Sequence, residues 1–540
     1  MKDDGAKRGA ALAAIAVLVV YVVVHELGSS AYDDSYFFKR FALHAIEDGV
    51  YAWNLEDGPV HGSTSQLFGL LTTLVASFTK SHFIAAVRVV DGALLIATGA
   101  VLLRGARGPM AMLVLGNALV LSTVRSNMET ALALFVLACA LVREVRPAAW
   151  SRRHDVGSAA ATVLVYLARP DAAAIVGVCA LLLRRFENRP LGTYVLALLG
   201  MMAAVWGVCW AYYGTALPLS FHMKTMALHT YGPHIASLRW LVKGPNLMAV
   251  GFVAAPLLWV WVRGGGPKRR DATLALSVAG LVFIVYHLAS THEIMGYRAR
   301  FYVPALVPLG LAAARVWPRE GLPPRAVASF VLPWSACAAA AYVLGWSPNA
   351  AGGALKALPW PTYLAFVLAT TVALARPSRV WVVGLSLLGG AALWLPPEAP
   401  VLRSDVEVLI RHNRELTTTR GVFDVARCLP PKSTVYHSEM GITGMVLYRM
   451  RVVDMAGLLS SDIASQGLRF EQRCAAERPE AIFLPHRSYR ALNEEVTSAA
   501  CFADYVRVVD RSSSALHVRV DLVADFRACG SEYREWVGRR

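Results

Sequence analysis

Two adjacent carboxylates, Asp33 and Asp34 in the run Tyr32-Asp33-Asp34-Ser35-Tyr36-Phe37-Phe38, stand just beyond an apolar stretch from Ala10 to Gly28. A carboxylate at a membrane boundary costs solvation energy unless it is paired, so two side by side point to a place where protons, a metal or a substrate are handled. The plainer alternative is a helix start, with Asp33 and Asp34 facing the positive end of a helix dipole. Glu129 offers the same choice, a second acid of the site or a first-turn residue of the helix that begins near Met128. Asp33, Asp34 and Glu129 together supply hard oxygen ligands that suit a divalent ion. The lone histidines His61 and His222 fit structural hydrogen bonding or substrate contact, and no His/Cys/Asp spacing marks a dedicated metal site. Arg88 and Asp91, three apart inside an apolar run, read as a neutralising helix pair.

The elements that must position these residues are helices in a bilayer. With 56% hydrophobic and 17% charged residues and a mean hydropathy of +0.46, the composition is far from that of a soluble domain. The net charge of +16 lies in short Lys/Arg clusters between apolar runs, without the basic face and stacking aromatics that nucleic acid requires. Read as cytoplasmic loops, the clusters put the amino terminus inside. They also put Asp33, Asp34, Glu129, Arg169, Lys224 and Arg300 on one outer face. The predicted spans are Ala10–Gly28, Phe83–Leu103, Pro109–Val124, Met128–Leu141, Val156–Leu167, Ala172–Leu183, Leu191–Tyr213, Leu247–Val262, Ala272–Leu288, Tyr302–Val316, Ala326–Leu344, Tyr363–Ala375 and Val380–Leu395. This gives a polytopic α-helical membrane protein of about thirteen crossings, several shorter than the roughly 20 residues of a full span. The apolar stretch Thr64–Phe78 is laid in the interface, because a crossing there would reverse every later loop. A cleaved signal peptide is the alternative for the first run, and it too leaves Asp33 outside.

From about Pro396 the chain changes character, with short apolar segments such as Ser433-Thr434-Val435-Tyr436 and Ala481-Ile482-Phe483-Leu484 among charged, helix-compatible stretches. The expected organisation is a membrane domain over residues 1–395, with outer-loop helices at about 33–78, and an extracytoplasmic α/β domain over 396–540. Cys428, Cys474, Cys501 and Cys529 all lie in that tail, an even number that allows two disulfides in an oxidising compartment. No nucleotide-binding glycine loop or phosphate-binding lysine motif is present.

In order along the chain, several segments resemble the GT-C class of integral-membrane glycosyltransferases, and within it the bacterial arabinofuranosyltransferase-like group. They are Asp33-Asp34-Ser35-Tyr36-Phe37-Phe38-Lys39-Arg40 continuing to Trp53-Asn54 and Gly62-Ser63-Thr64-Ser65; Ser126-Asn127-Met128-Glu129-Thr130-Ala131-Leu132; Leu167-Ala168-Arg169-Pro170-Asp171; Leu217-Pro218-Leu219-Ser220-Phe221-His222-Met223-Lys224; Arg300-Phe301-Tyr302-Val303-Pro304; and Val453-Asp454-Met455-Ala456-Gly457-Leu458. His61 stands where the group's pattern has Glu, and Asn127 where a small residue is usual.

The resemblance implies transfer of a sugar, arabinofuranose first among the candidates, from a polyprenyl-phosphate donor to a cell-envelope glycan or other acceptor, with inversion. It implies Asp33 as the general base, with Asp34 orienting it or binding acceptor. Lys224, Arg300 and Arg169 would be the partners of the donor phosphate, and Glu129, His61, Thr64 and Arg40 would contact substrate. Lys and Arg near helix ends also simply reach toward headgroups, and Arg169 beside Asp171 also reads as a structural ion pair. No cofactor is required in this reading, and a divalent cation is an allowed addition without a dedicated site. The location implied is the bacterial inner membrane, multi-pass, with a cytoplasmic amino terminus and an extracytoplasmic tail. A transporter or flippase for a lipid-linked or polar glycan is the alternative class, against which count the missing inverted repeat and the clustering of polar motifs on one face. An outer-domain glycan receptor without turnover is the third.

Overall fold

A computed structural model describes residues 2–27, 31, 33–105, 114–115, 120, 124, 126–145, 151–221, 270–290, 297–316, 404–413, 417–485, 489–509 and 515–538. Helices follow the apolar runs at Lys2–Glu26, Phe83–Gly105, Thr130–Glu144, Arg152–Ala168, Ala173–Phe186, Gly192–Tyr213, Arg270–Ser290 and Leu306–Val316, the last entered through the 3-10 segment Tyr297–Ala305. Among the described residues, Phe83–Arg104 and Gly192–Tyr213 are long and apolar enough to cross a membrane. The expected spans Leu247–Val262, Ala326–Leu344, Tyr363–Ala375 and Val380–Leu395, with most of Pro109–Val124, lie outside the described residues.

The chain divides into two compact units. One comprises Met1–Gly28, Arg88–Ala203 and Pro233–Val401; the other comprises Ser29–Val87, Ala204–Gly232 and Leu402–Arg540.

In the first unit Leu134, Leu137 and Leu141 pack with Val176, Cys179, Leu183, Phe283, Leu309 and Ala313 in one buried cluster. Arg184, with no exposed surface, bonds Glu144 at 3.2 Å and Asp155 at 2.8 Å and lies over the Tyr194 ring, so this buried cation ties four helices together with its charge answered. Ser151 caps the Arg152–Ala168 helix by accepting from the His154 amide, and Asp155 in its first turn suits the dipole. Arg88 and Asp91 do not form the expected pair. Arg88 donates to Asn127 Oδ1 at 3.0 Å and to the Glu26 carbonyl, and both Asp91 carboxyl oxygens are buried without a hydrogen-bond partner among the described residues. The helix Gly192–Tyr213 turns Leu196, Leu199, Val208 and Trp210 outward, each at least 60% exposed, a distribution that hydrocarbon matches and water does not.

In the second unit the helix Ser35–Glu47 and the segment that follows it share a core with the tail: Phe41, Trp53 and Val60 pack in the cluster that holds Val422, Val435, Val452, Leu459, Phe483 and Leu516. Ser65 caps the helix Gln66–Phe78 at the Phe68 amide, and its face of Leu70, Leu74 and Phe78 is exposed while Phe68, Thr72, Val75 and Ala76 are buried. The tail carries a five-stranded sheet of β1 (Thr434–His437), β2 (Arg451–Asp454), β3 (Ala481–Phe483), β4 (Tyr505–Val509) and β5 (Leu516–Arg519) in the order β2-β1-β3-β5-β4. The first three are parallel and almost wholly buried, with Val435, Tyr436, Val452, Val453, Ala481, Ile482 and Phe483 as their apolar centre, whereas β5 runs antiparallel to β3 and β4. Disulfides Cys428–Cys529 and Cys474–Cys501 join helices of the tail. The architecture is thus mainly helical with a mixed sheet near the carboxyl terminus.

Candidate active site

Asp33 leads into the helix Ser35–Glu47, and its backbone carbonyl accepts from the Tyr36 amide at 3.0 Å. Its carboxylate does not cap that helix. Instead Oδ1 accepts from the Ile442 amide at 2.7 Å and Oδ2 from the Gly441 amide at 3.2 Å, at the start of the tail helix Gly441–Val446. A Cβ on Gly441 would overlap the Asp33 carbonyl, so only glycine permits this approach. Burial pushes the Asp33 carboxyl up to about 6, against the two amides that favour its charge and with the neighbouring Asp34 adding to the rise. A carboxylate with that affinity for a proton is matched to general-base work near neutrality.

Three further titratable groups lie at the carboxyl ends of β1 and β2, and one of them, Glu439, feels the charge of Asp33. Register places His437 beside Asp454. Burial pushes Asp454 up to about 7 despite hydrogen bonds from the amides of Ala456 at 2.9 Å and Leu459 at 2.8 Å. Burial lowers His437 to about 3, and its Nδ1 accepts from the Glu439 amide at 2.8 Å, so the ring is neutral with its proton on Nε2. Glu439 is pushed up to about 8, by burial first and then by the charges of Asp33, Asp34 and Asp454. Asp454 stands in the last of the motif segments, whereas His437 and Glu439 do not stand out in sequence, where a single Glu after a short strand has no spacing signature.

Arg40, expected at the substrate, has all five N–H donors committed to protein. Nε donates to the Trp53 carbonyl at 2.5 Å, Nη1 to the carbonyls of Gly444 and Leu447 at 3.0 Å, and Nη2 to Asn54 Oδ1 and the Met450 carbonyl at 2.8 Å. Its guanidinium also stacks on Trp53, 4.6 Å from the ring centroid. It is the clamp on the far end of the helix whose start Asp33 holds. Asn54 extends the arrangement by pairing its amide with Val452 on the open edge of β2. Lys39 beside it forms a buried ion pair with Asp405 at 2.7 Å.

His61 likewise has both ring nitrogens occupied, Nδ1 with the Thr215 carbonyl at 3.3 Å and Nε2 with the Gln66 amide at 2.5 Å, and it stacks on Tyr213. These bonds fix the position and orientation of the ring. Thr64 is half-buried in the bend before the Gln66–Phe78 helix, and Asp34 is half-buried beside Asp33.

In the first unit the structure brings Arg169, Asp171 and His287 together. Arg169 Nε donates to Asp171 at 2.9 Å, His287 Nε2 lies 2.9 Å from the other carboxylate oxygen, and Arg169 and His287 both contact the Phe301 ring. Asp171 is held below the usual carboxylate range: burial opposes its charge, and Arg169 and His287 outweigh burial. Glu129 occupies the N-cap position of the Thr130–Glu144 helix, nearly buried, and its charge acts on Arg169. Lys224 and the side chain of Arg300 lie outside the described residues. Among the described residues no three His, Cys, Asp or Glu side chains are arranged to hold a metal ion.

No family model and no curated protein matches the chain. Among solved structures it is similar to ArnT from Cupriavidus metallidurans, bound to undecaprenyl phosphate (16% identity) and in the apo state (15%), in each case over 95% of this chain and 98% of that one with a TM-score of 0.57. It is also similar to the arabinofuranosyltransferase AftD from Mycobacteria, at 13% identity over 94% of this chain and 40% of that one, with a TM-score of 0.43. The likeness to ArnT establishes a GT-C-like fold for the chain.

Proposed function

We propose that this GT-C-fold chain is a membrane-embedded glycosyltransferase that moves a sugar from a polyprenyl-phosphate donor to a cell-envelope glycan or other acceptor. The observation that carries the reading is the end-to-end likeness to ArnT, a protein crystallised with undecaprenyl phosphate. In this reading residues 1–395 lie in and at the membrane and 396–540 form the extracytoplasmic domain. The outward apolar residues of Gly192–Tyr213 face lipid, and the exposed face of Leu70, Leu74 and Phe78, on a helix of 13 residues, rests at the bilayer surface.

Asp33 takes the proton of an acceptor hydroxyl as that oxygen attacks the anomeric carbon. The new bond joins acceptor oxygen to that carbon, the bond from carbon to phosphate oxygen breaks, and polyprenyl phosphate leaves with inversion. The two amides that hold Asp33 use one acceptor position on each carboxylate oxygen, and carboxylate oxygens have others to offer. Lys224, Arg300 and Arg169 are the cations for the leaving phosphate, and Arg169 enters this role already oriented by Asp171. Arabinofuranose remains the leading donor sugar through the motif resemblance.

The test is incubation of the purified protein with a panel of polyprenyl-phosphate sugars, following donor cleavage and sugar transfer. Cleavage of one member supports the reading and names the donor; binding or movement of all members without cleavage rejects it.

A further inference from the structure

The turn that leaves β1 carries an acid that the mechanism above does not use. Ser438, Glu439 and Met440 connect β1 to the helix Gly441–Val446, at the level where His437 and Asp454 end their strands. The sheet's connections also part here, since the chain passes from β1 to β2 on one side while β3 lies on the other. In open α/β sheets, such a divergence at the carboxyl ends of parallel strands leaves a crevice where ligands bind.

Four carboxyl groups converge on this end: Asp33 and Asp34 from the first loop, Glu439 from the turn and Asp454 from β2. Asp33 is engaged by Gly441 and Ile442, Asp454 by Ala456 and Leu459, and Asp34 has partners of its own. Glu439 is half-buried, and its carboxyl group takes no hydrogen bond from any described residue. Next to it, Ser438 is 4% exposed and its hydroxyl has no partner among the described residues. Buried polar groups are normally satisfied, so an idle acid followed back to an idle hydroxyl marks polar capacity kept for a ligand.

We propose that Glu439 is a carbohydrate-binding residue which the tail contributes to the reaction site, its carboxyl group bonding two neighbouring hydroxyls of a glycan acceptor and presenting one of them to Asp33. This inference rests on the glycosyl-transfer reading and narrows its acceptor to a saccharide.

The chemistry of the group fits that ligand. With its affinity for a proton raised to about 8, Glu439 is a neutral carboxylic acid at neutral pH. A neutral acid donates one hydrogen bond and accepts another, the complement of a vicinal diol, whereas a carboxylate only accepts. Burial sets this state first, and the charges of Asp33, Asp34 and Asp454 add to it; His437 is neutral and its Nδ1 is filled by the Glu439 amide.

The experiment titrates the full-length protein in detergent, without donor, with arabinofuranosyl, mannosyl and galactosyl disaccharides at pH values below and above 8. Wild type binds at least one of them, and about tenfold more weakly at the higher pH, as loss of one hydrogen bond and its replacement by repulsion predicts. Glu439→Gln, which still donates and accepts, binds at both pH values alike. Glu439→Ala loses about tenfold already at the lower pH. The inference is overturned if no disaccharide binds, if Glu439→Ala binds as wild type does, or if Glu439→Gln keeps the pH dependence. Should Glu439→Ala fail to fold, the comparison of wild type with Glu439→Gln decides alone. Donor cleavage is assayed separately without acceptor. Protein that cleaves donor yet binds no disaccharide sinks this inference and leaves the transfer reading standing; protein that binds a disaccharide through Glu439 yet cleaves no donor sinks the transfer reading and the inference with it.

Discussion

The carboxylate of Asp33 accepts a hydrogen bond from the amide of Gly441, a residue 408 positions later in the chain. The contact fixes the first acidic loop on the tail, and it depends on a glycine because any side chain at 441 would occupy the space of the Asp33 carbonyl. Gly441→Ala must therefore push the loop away, an overpacking that costs on the order of 1–3 kcal/mol. Thermal unfolding of the purified variant checks the stability loss, and the transfer rate of the folded fraction should fall with it.

Arg40 holds the other end of the same helix through the carbonyls of Gly444, Leu447 and Met450. Lysine has three donors and no planar fork, so Arg40→Lys gives up at least two of these five charge-assisted hydrogen bonds, at roughly 1.5–3 kcal/mol each. The expected result is a lower unfolding midpoint with an unchanged KM for acceptor in the protein that remains folded. A selective rise in that KM would return Arg40 to the substrate.

The two disulfides close loops of very different size, with sequence separations of 101 and 27. In the chain-entropy account these contribute roughly 4.7 and roughly 3.5 kcal/mol. Replacing Cys428 and Cys529 together by Ser should lower the unfolding midpoint more than replacing Cys474 and Cys501, and reductant should lower that of wild type.

Glu439 also predicts a pH dependence of stability. Its carboxyl rises from an ordinary 4.5 to about 8 in the folded protein, so the unfolded chain releases the proton first as pH increases. The folded state is then penalised progressively between those values, by on the order of a few kcal/mol at the alkaline end. Glu439→Gln removes the penalty: its unfolding midpoint should match wild type at pH 4.5 and exceed it above pH 8. Equal midpoints across the range would show the carboxyl to be ordinarily ionised.

The helices of the apolar runs were legible because apolar runs and caps are local signals. The short strands at Thr434–His437 and Ala481–Phe483 were legible as apolar segments between charged stretches. The partners were not. Arg40 reads as a substrate contact until the carbonyls of residues 444, 447 and 450 are brought to it. Asp33 reads as a helix cap for its own helix, yet it binds the start of another. Arg88 and Asp91 have the spacing of a helix pair, but Asn127 and the Glu26 carbonyl compete for the guanidinium and take it. Glu439 carries no local signal, since its proton affinity comes from burial first and then from acids on two other segments. Spacing reports neighbours along an element, whereas these contacts are set by which segments the fold apposes.

The central claim, that Asp33 is the base for sugar transfer, is tested most directly by the pH profile of transfer from the cleaved polyprenyl-phosphate sugar by wild type and Asp33→Asn. Wild type should lose rate as pH falls through about 6, where Asp33 takes up its proton. Asp33→Asn should be slower by on the order of 10² to 10⁴ at neutral pH and should lack that limb. Transfer by Asp33→Asn at near the wild-type rate, with the same acid limb, would contradict the account.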